Sequence, residues 1–174
     1  HWIQKMQDAY DEKTEIVLGY GAYHKRPGLL NKLIRFETFH TALQYLTYAL
    51  SGTPYMGVGR NLAYKKSLFN KVKGFTSHNN IPSGDDDLFV NMAANKENTA
   101  INITPESFTY SNPKTSWATW RSQKNRHFST GRYYKPKHKF LLGLYSFAQF
   151  MIYPSFTAAV LFFDWRFVVA VFAL

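Results

Sequence analysis

Glu15-Ile16-Val17-Leu18-Gly19-Tyr20-Gly21, followed by an apolar repeat through Leu29, Leu33, Phe36, Phe39, Leu43, Leu46 and Leu50, decides the fold class. The first stretch is a short apolar run closed by glycine, which is a strand pattern. The second returns an apolar side chain every three or four residues, which marks a long helix with a broad apolar face. Gly52-Thr53-Pro54 ends that helix. Strand followed by helix opens an α/β arrangement, and the chain goes on alternating. The patterns predict a short helix from Trp2 to Tyr10 and a short strand from Tyr55 to Val58, running into Gly59-Arg60-Asn61. They predict a helix from Asp87 to Asn95 and a strand from Thr99 to Thr104. Thr115 or Ser116 is suited to cap a last helix carrying Trp117, Trp120, Gln123 and Arg126.

The 174 residues have room for one domain and a membrane segment. The chain starts with His1-Trp2 rather than Met and stops inside an apolar run, so we expect an interior piece of a longer protein. There is no cysteine, which excludes disulfides, thiolate zinc sites and a catalytic thiol. Six scattered histidines form no His-x-x-x-His pair. The formal net charge of +10 is concentrated from Lys114 to Lys139, where Lys and Arg recur without an acidic residue. Basic chains often meet nucleic acid, but no helix-turn-helix or zinc pattern occurs and this block abuts an apolar run. The expected partner of the basic block is anionic lipid, not nucleic acid.

Phe140 to Phe163 is 24 residues without a charge, about 36 Å of helix and long enough to span a bilayer. Asp164-Trp165-Arg166 reads as a polar turn, and Phe167 to Leu174 as the start of a second, truncated span. The expected division is residues 1–139, 140–163 and 167–174. Basic residues before the span place residues 1–139 in the cytosol, against the cytoplasmic (inner) membrane of a multi-pass protein.

Two constellations carry chemistry. Ser83-Gly84-Asp85-Asp86-Asp87-Leu88-Phe89 sits at a loop-to-helix junction. Ser83 and Asp86 have the spacing of a capping box, and acids suit a helix N-terminus. Three adjacent carboxylates also repel one another, which raises a pKa and suits a proton acceptor. Gln123 and Arg126 are three apart and share a helix face, where an amide beside a guanidinium can hold a diphosphate or a sugar hydroxyl. Alternatively, the same helix is a basic juxtamembrane helix anchored by Trp117 and Trp120.

With these pieces the chain resembles the membrane-bound family 2 glycosyltransferases, such as cellulose, hyaluronan and poly-N-acetylglucosamine synthases. Gly59-Arg60-Asn61-Leu62-Ala63-Tyr64 with Phe69 and Val72-x-Gly74-Phe75 is similar to the family's Gly-x-Asn-x-Ala-Tyr segment. Asp85-Asp86 resembles its Glu-Asp or Asp-Asp motif, and Gln123-x-x-Arg126 its Gln-x-x-Arg-Trp motif, with His127 in the Trp position. The resemblance implies part of a GT-A, Rossmann-like domain and an inverting transfer from a nucleotide-diphosphate sugar, a UDP-sugar above all. The acceptor would be a glycan or a lipid-linked sugar, and the product a β-glycosidic bond. It implies Asp86, or Asp85, as catalytic base, with Gly59, Asn61, Asp87, Gln123, Arg126 and His127 contacting substrate. It also implies Mg²⁺ or Mn²⁺, held by an upstream Asp-x-Asp segment rather than by these residues, so that the piece alone is inactive. The rival expectation is a non-catalytic, membrane-anchored basic domain that binds anionic lipid or polysaccharide. That rival leaves the Gly59–Phe75 segment and the triple aspartate without a role.

Overall fold

The computed structural model describes residues 1–76, 80–81 and 83–172. The chain divides into two compact units, residues 1–135 and 136–174, a boundary just before the expected one.

In the first unit, α1 (Trp2–Asp8) precedes β1 (Ile16–Gly19). Gly21 does not close a strand but opens β2 (Gly21–Tyr23). The long helix α2 (Leu29–Leu50) has the bounds that the apolar repeat predicts. A 3-10 turn at Gly59–Asn61 leads into β3 (Leu62–Tyr64) and α3 (Lys66–Lys71). Then follow α4 (Asp85–Ala93), β4 (Thr99–Asn102), β5 (Thr109–Ser111) and α5 (Trp117–Thr130). Strand β1 is central, antiparallel to β3 with Val17 opposite Ala63, and parallel to β4 with Val17 opposite Ala100. A second sheet pairs β2 with β5 in parallel, Ala22 opposite Tyr110. Ile16, Val17 and Leu18 are fully buried, as expected of a strand flanked on both sides. The architecture is α/β, in two small sheets.

Three differences from the sequence expectation have physical reasons. Tyr55–Val58 forms no strand: the Tyr55 carbonyl, a group that a ladder would use, accepts instead from Asn91 Nδ2 at 2.8 Å. The strand lies a few residues later, at β3, where β1 supplies a ladder partner. Finally, most of the apolar repeat of α2 faces outward, with Leu46 as its buried member. Leu29, Phe36, Phe39, Leu43 and Leu50 are all more than half exposed, whereas Ile34, Ala42, Tyr45 and Ala49 are buried. The helix packs over β2 and β4 through small alanines, and Tyr45 reaches between them to donate to the Gly19 carbonyl at 2.6 Å.

An aromatic cluster fixes α4 against β3. The Phe89 ring lies 4.5 Å from Tyr64 and 5.9 Å from Phe69, and Phe69 meets Phe75 edge-on at 5.1 Å. In the sequon Asn102-Ile103-Thr104, Asn102 is buried and its Nδ2 donates to the Lys5 carbonyl at 2.6 Å. The nitrogen that glycosylation would modify is therefore engaged inside the fold.

The second unit contains α6 (Pro136–Phe162), with proline at its first helical position, where the missing N–H costs nothing. It is long and apolar enough to cross a membrane, and its apolar window is not buried inside the protein. Pro154 sits within the helix. Asp164 accepts from the Arg166 N–H at 2.9 Å, and α7 (Trp165–Phe172) begins there, two residues before the expected second span. The last two positions of that expected span lie outside the described residues.

Candidate functional site

Three segments far apart in sequence meet at one cleft of about 240 Å³, near the small end of ligand sites. The turn before β3 contributes Arg60, the N-terminus of α4 contributes Asp86 and Asp87, and α5 contributes Trp120, Gln123, Lys124 and His127. Helix α2 closes the opposite side with Glu37, Thr38 and Thr41.

The start of α4 is shaped by glycine rather than by a capping box. Gly84 is the N-cap, in the left-handed region at φ 90°, and no side chain caps the helix. A Cβ at this position would meet Thr130 Cγ2 at 2.4 Å, so the tight turn and the close approach both require glycine. The Asp86 carboxylate is turned instead towards the other segment. Its Oδ2 accepts from the Gly59 N–H at 2.5 Å and its Oδ1 from the Asp87 N–H at 3.0 Å. Each oxygen keeps a second acceptor position, so the group is oriented and still able to take a proton.

The three aspartates part company. Asp85 is exposed and lines a separate small groove with Gly59, Phe75 and Phe89. Asp86 stands between that groove and the main cleft. Asp87 is 5% exposed, and its Oδ2 contacts the hydroxyls of Thr130 at 3.3 Å and Tyr134 at 3.2 Å. The raised pKa that the cluster predicts falls on Asp87, pushed up to about 7 by burial first and by the Asp86 charge second. Among the described residues no group of three or more His, Asp or Glu side chains can hold a metal ion. These carboxylates diverge, Asp85 into the separate groove and Asp87 into the core, and do not fit a divalent cation.

On α5, Ser116 is the cap, accepting from the Thr119 N–H at 3.3 Å. Trp120, Gln123, Lys124 and His127 form an i, i+3, i+4, i+7 stripe facing the cleft. Arg126 is not in it. It lines a neighbouring groove with Ser83, Arg121, Asn125 and Ser129, so Gln123 shares the cleft with His127 rather than with Arg126. The surrounding protein holds the His127 imidazole below its usual pKa, by desolvation first and then the charge of Lys124. Gln123 Nε2 donates to the Tyr23 hydroxyl at 3.3 Å, and the Arg60 guanidinium stacks 4.2 Å over the Tyr23 ring. Lys124 pairs with Glu37 across from α5 to α2.

Asn61 does not face the cleft. It is 1% exposed, accepts from the Trp2 indole at 3.0 Å, and donates to the carbonyls of Tyr20 at 2.9 Å and Ser107 at 2.8 Å. Gly59 touches the Asp86 carboxylate, a Cβ there falling 3.1 Å from Asp86 Oδ2. Sequence reasoning did not assign Arg60, Tyr23, Trp120, Lys124 or Glu37 to the site, giving Trp120 only an anchoring role. Trp120 and Lys124 were readable from the helical stripe around Gln123, whereas Tyr23 and Glu37 reach the cleft only through the tertiary fold. No family model matches the chain, and no curated protein matches it.

Proposed function

We propose that this chain carries the base and the acceptor side of an inverting glycosyltransferase of the GT-A, family 2 kind, working at the cytosolic face of the cytoplasmic membrane. The observation that carries the reading is convergence: Asp86, Gln123 and His127 come from distant stretches and line one cleft, and Gly59, in the adjoining groove, donates to Asp86, so the segments on which the resemblance rests meet at that carboxylate. In this reading Asp86 takes the proton of an acceptor hydroxyl as its oxygen attacks the anomeric carbon of a nucleotide-diphosphate sugar. The bond from that carbon to the diphosphate breaks on the opposite face, so an α-linked donor gives a β-linkage. The two main-chain N–H groups keep Asp86 aimed, which removes orientational freedom before reaction. Arg60 and Lys124 supply positive charge in the cleft. The divalent metal that the resemblance implies would be held outside the residues described here. Three features support a membrane setting: the apolar helix α6, the basic run before it, and the outward apolar stripe of α2.

The test is nucleotide release from UDP-sugars by membranes containing the complete gene product, with Asp86→Asn and Asp85→Asn beside it. We expect metal-dependent release that falls by roughly 10³-fold in Asp86→Asn and stays within a few-fold of the parent in Asp85→Asn. Loss only in Asp85→Asn would move the base to Asp85. No release with any donor from folded protein would favour a lipid- or polysaccharide-binding domain instead.

A further inference from the structure

Asp87 is an acid buried without an ion-pair partner among the described residues, and the mechanism above leaves it without a task. A buried, unpaired carboxylate is costly, and such groups keep their proton instead. Hydrogen counting agrees. The Thr130 hydroxyl has one hydrogen and two acceptors in reach, the His127 carbonyl at 2.7 Å and Asp87 Oδ2 at 3.3 Å. As placed, Thr130 donates to both; a proton on Asp87 ends that competition, because Asp87 then donates to Thr130 and the Thr130 hydrogen goes to the His127 carbonyl. With Asp87 neutral, a complete chain runs from the Tyr134 hydroxyl to Asp87, from Asp87 to Thr130, and from Thr130 to the His127 carbonyl. Burial pushing its pKa up to about 7 is consistent with that state. The titratable groups facing it are Asp86 and Asp85 on its own helix and Tyr134 from the segment after α5.

We propose that Asp87 is a positioning residue that, through Thr130 and Tyr134, latches the helix bearing Asp86 to the end of the helix bearing Gln123 and His127. The contact is close-fitting, since Gly84 lies directly beneath Thr130. One turn further along α4, Asn91 Oδ1 accepts from the Lys135 N–H at 3.0 Å. Asp87 and Asn91 are thus successive attachment points on one face of α4. Asp86, one residue round the helix, is left to face the cleft. The latch sets the separation between base and Gln123, and it acts through shape and hydrogen bonds, not through charge. This assignment rests on the transferase reading for its kinetic consequence, but its structural part can be measured without activity.

The experiment uses the complete gene product, any cysteine outside this cysteine-free stretch replaced by serine. Ser83→Cys and Ser129→Cys line one groove and form a unique pair for a short bismaleimide. Crosslinking yield and steady-state kinetics are then compared for Asp87→Asn, Asp87→Leu and Asp86→Asn. Asp87→Asn, neutral and close in shape, is expected to crosslink like the parent. Asp87→Leu should crosslink poorly and lose about 100-fold in kcat, the scale of an ångström of misplacement, with donor KM unchanged. If Asp87→Leu does not accumulate, Thr130→Val and Tyr134→Phe carry the same test, each lowering kcat and crosslinking together. Asp87→Asn as inactive as Asp86→Asn, with crosslinking intact, would overturn the latch in favour of a charge-bearing role. Parental kcat and crosslinking in Asp87→Leu would overturn it outright. If Asp86→Asn is as active as the parent, the base assignment falls, and crosslinking alone then decides the latch.

Discussion

Gly59-Arg60-Asn61 and Asp85-Asp86-Asp87 make the same descent from solvent to core. In each, the first residue is exposed, the second stands at the cleft, and the third is buried, at 1% exposure for Asn61 and 5% for Asp87. The two turns are tied together where Gly59 donates to Asp86. They differ in their anchors. Asn61 is a neutral amide with both hydrogens placed on carbonyls and its oxygen on an indole, a set indifferent to pH. Asp87 is an acid held by hydroxyls, so its anchoring depends on whether it holds a proton. Three adjacent residues on a tight turn therefore occupy three different environments: the third anchors the turn in the core while the second faces the cleft.

Breaking the pH-indifferent anchor should have the largest effect on stability. Asn61→Ala takes the partner from the Trp2 indole and the Ser107 carbonyl and leaves the Tyr20 carbonyl only the Thr109 N–H, and we expect a loss of about 3 kcal/mol in unfolding of the chain in detergent. A loss under 1 kcal/mol would mean that the 3-10 turn holds without it. The other anchor should be nearly silent when made neutral, and it should carry a pH signature. The folded pKa of Asp87 lies above its unfolded value, near 7 against 3.8. Below pH 4 both states hold the proton; between 4 and 7 only the folded state does, so rising pH favours unfolding there and ceases to above 7. The slope is on the order of 1 kcal/mol per pH unit, and Asp87→Asn should abolish it. An unchanged slope in that variant would assign the titration to another group. Where the turns touch, Gly59→Ala puts a methyl 3.1 Å from the Asp86 carboxylate. On the proposed transferase reading we expect about a tenfold loss of kcat with the unfolding midpoint unmoved; lost stability instead would mean that the turn, not the Asp86 carboxylate, yields. The smallest effect belongs to residues outside both turns. Phe36→Gln with Phe39→Gln on the outward face of α2 should change stability by less than about 0.5 kcal/mol, whereas a loss of several would mean that this face is covered in the folded protein.

Much of the fold was legible where elements are long. The bounds of α2 followed from the period of its apolar residues alone. Which face it buries did not, because a helix lying on a sheet needs small residues at the contact, and Ala42 and Ala49 outbid the larger phenylalanines. Strands β2, β3 and β5 have three residues each, too few to display a period, and each exists because of a partner distant in sequence. The site was legible as a set of segments and not as a set of roles. Asp86, Gln123 and His127 line the cleft, but the burial of Asn61 and Asp87 arises from contacts with Trp2, Ser107, Thr130 and Tyr134. No local pattern announces those contacts. The choice of His127 over Arg126 as the neighbour of Gln123 is a matter of i+4 against i+3, and the orientation of the whole helix decides it.

The Asp86 carboxylate is held by the main-chain N–H groups of residues 59 and 87, and nearly every amino acid brings that donor with it. Drift in the side chains around Asp86 can therefore be wide without disturbing its aim, so long as the path of the backbone persists. Proline is the exception, since at either position it deletes a donor outright. Variation in this protein should accordingly be limited at these two points less by chemical similarity than by the simple presence of an amide hydrogen.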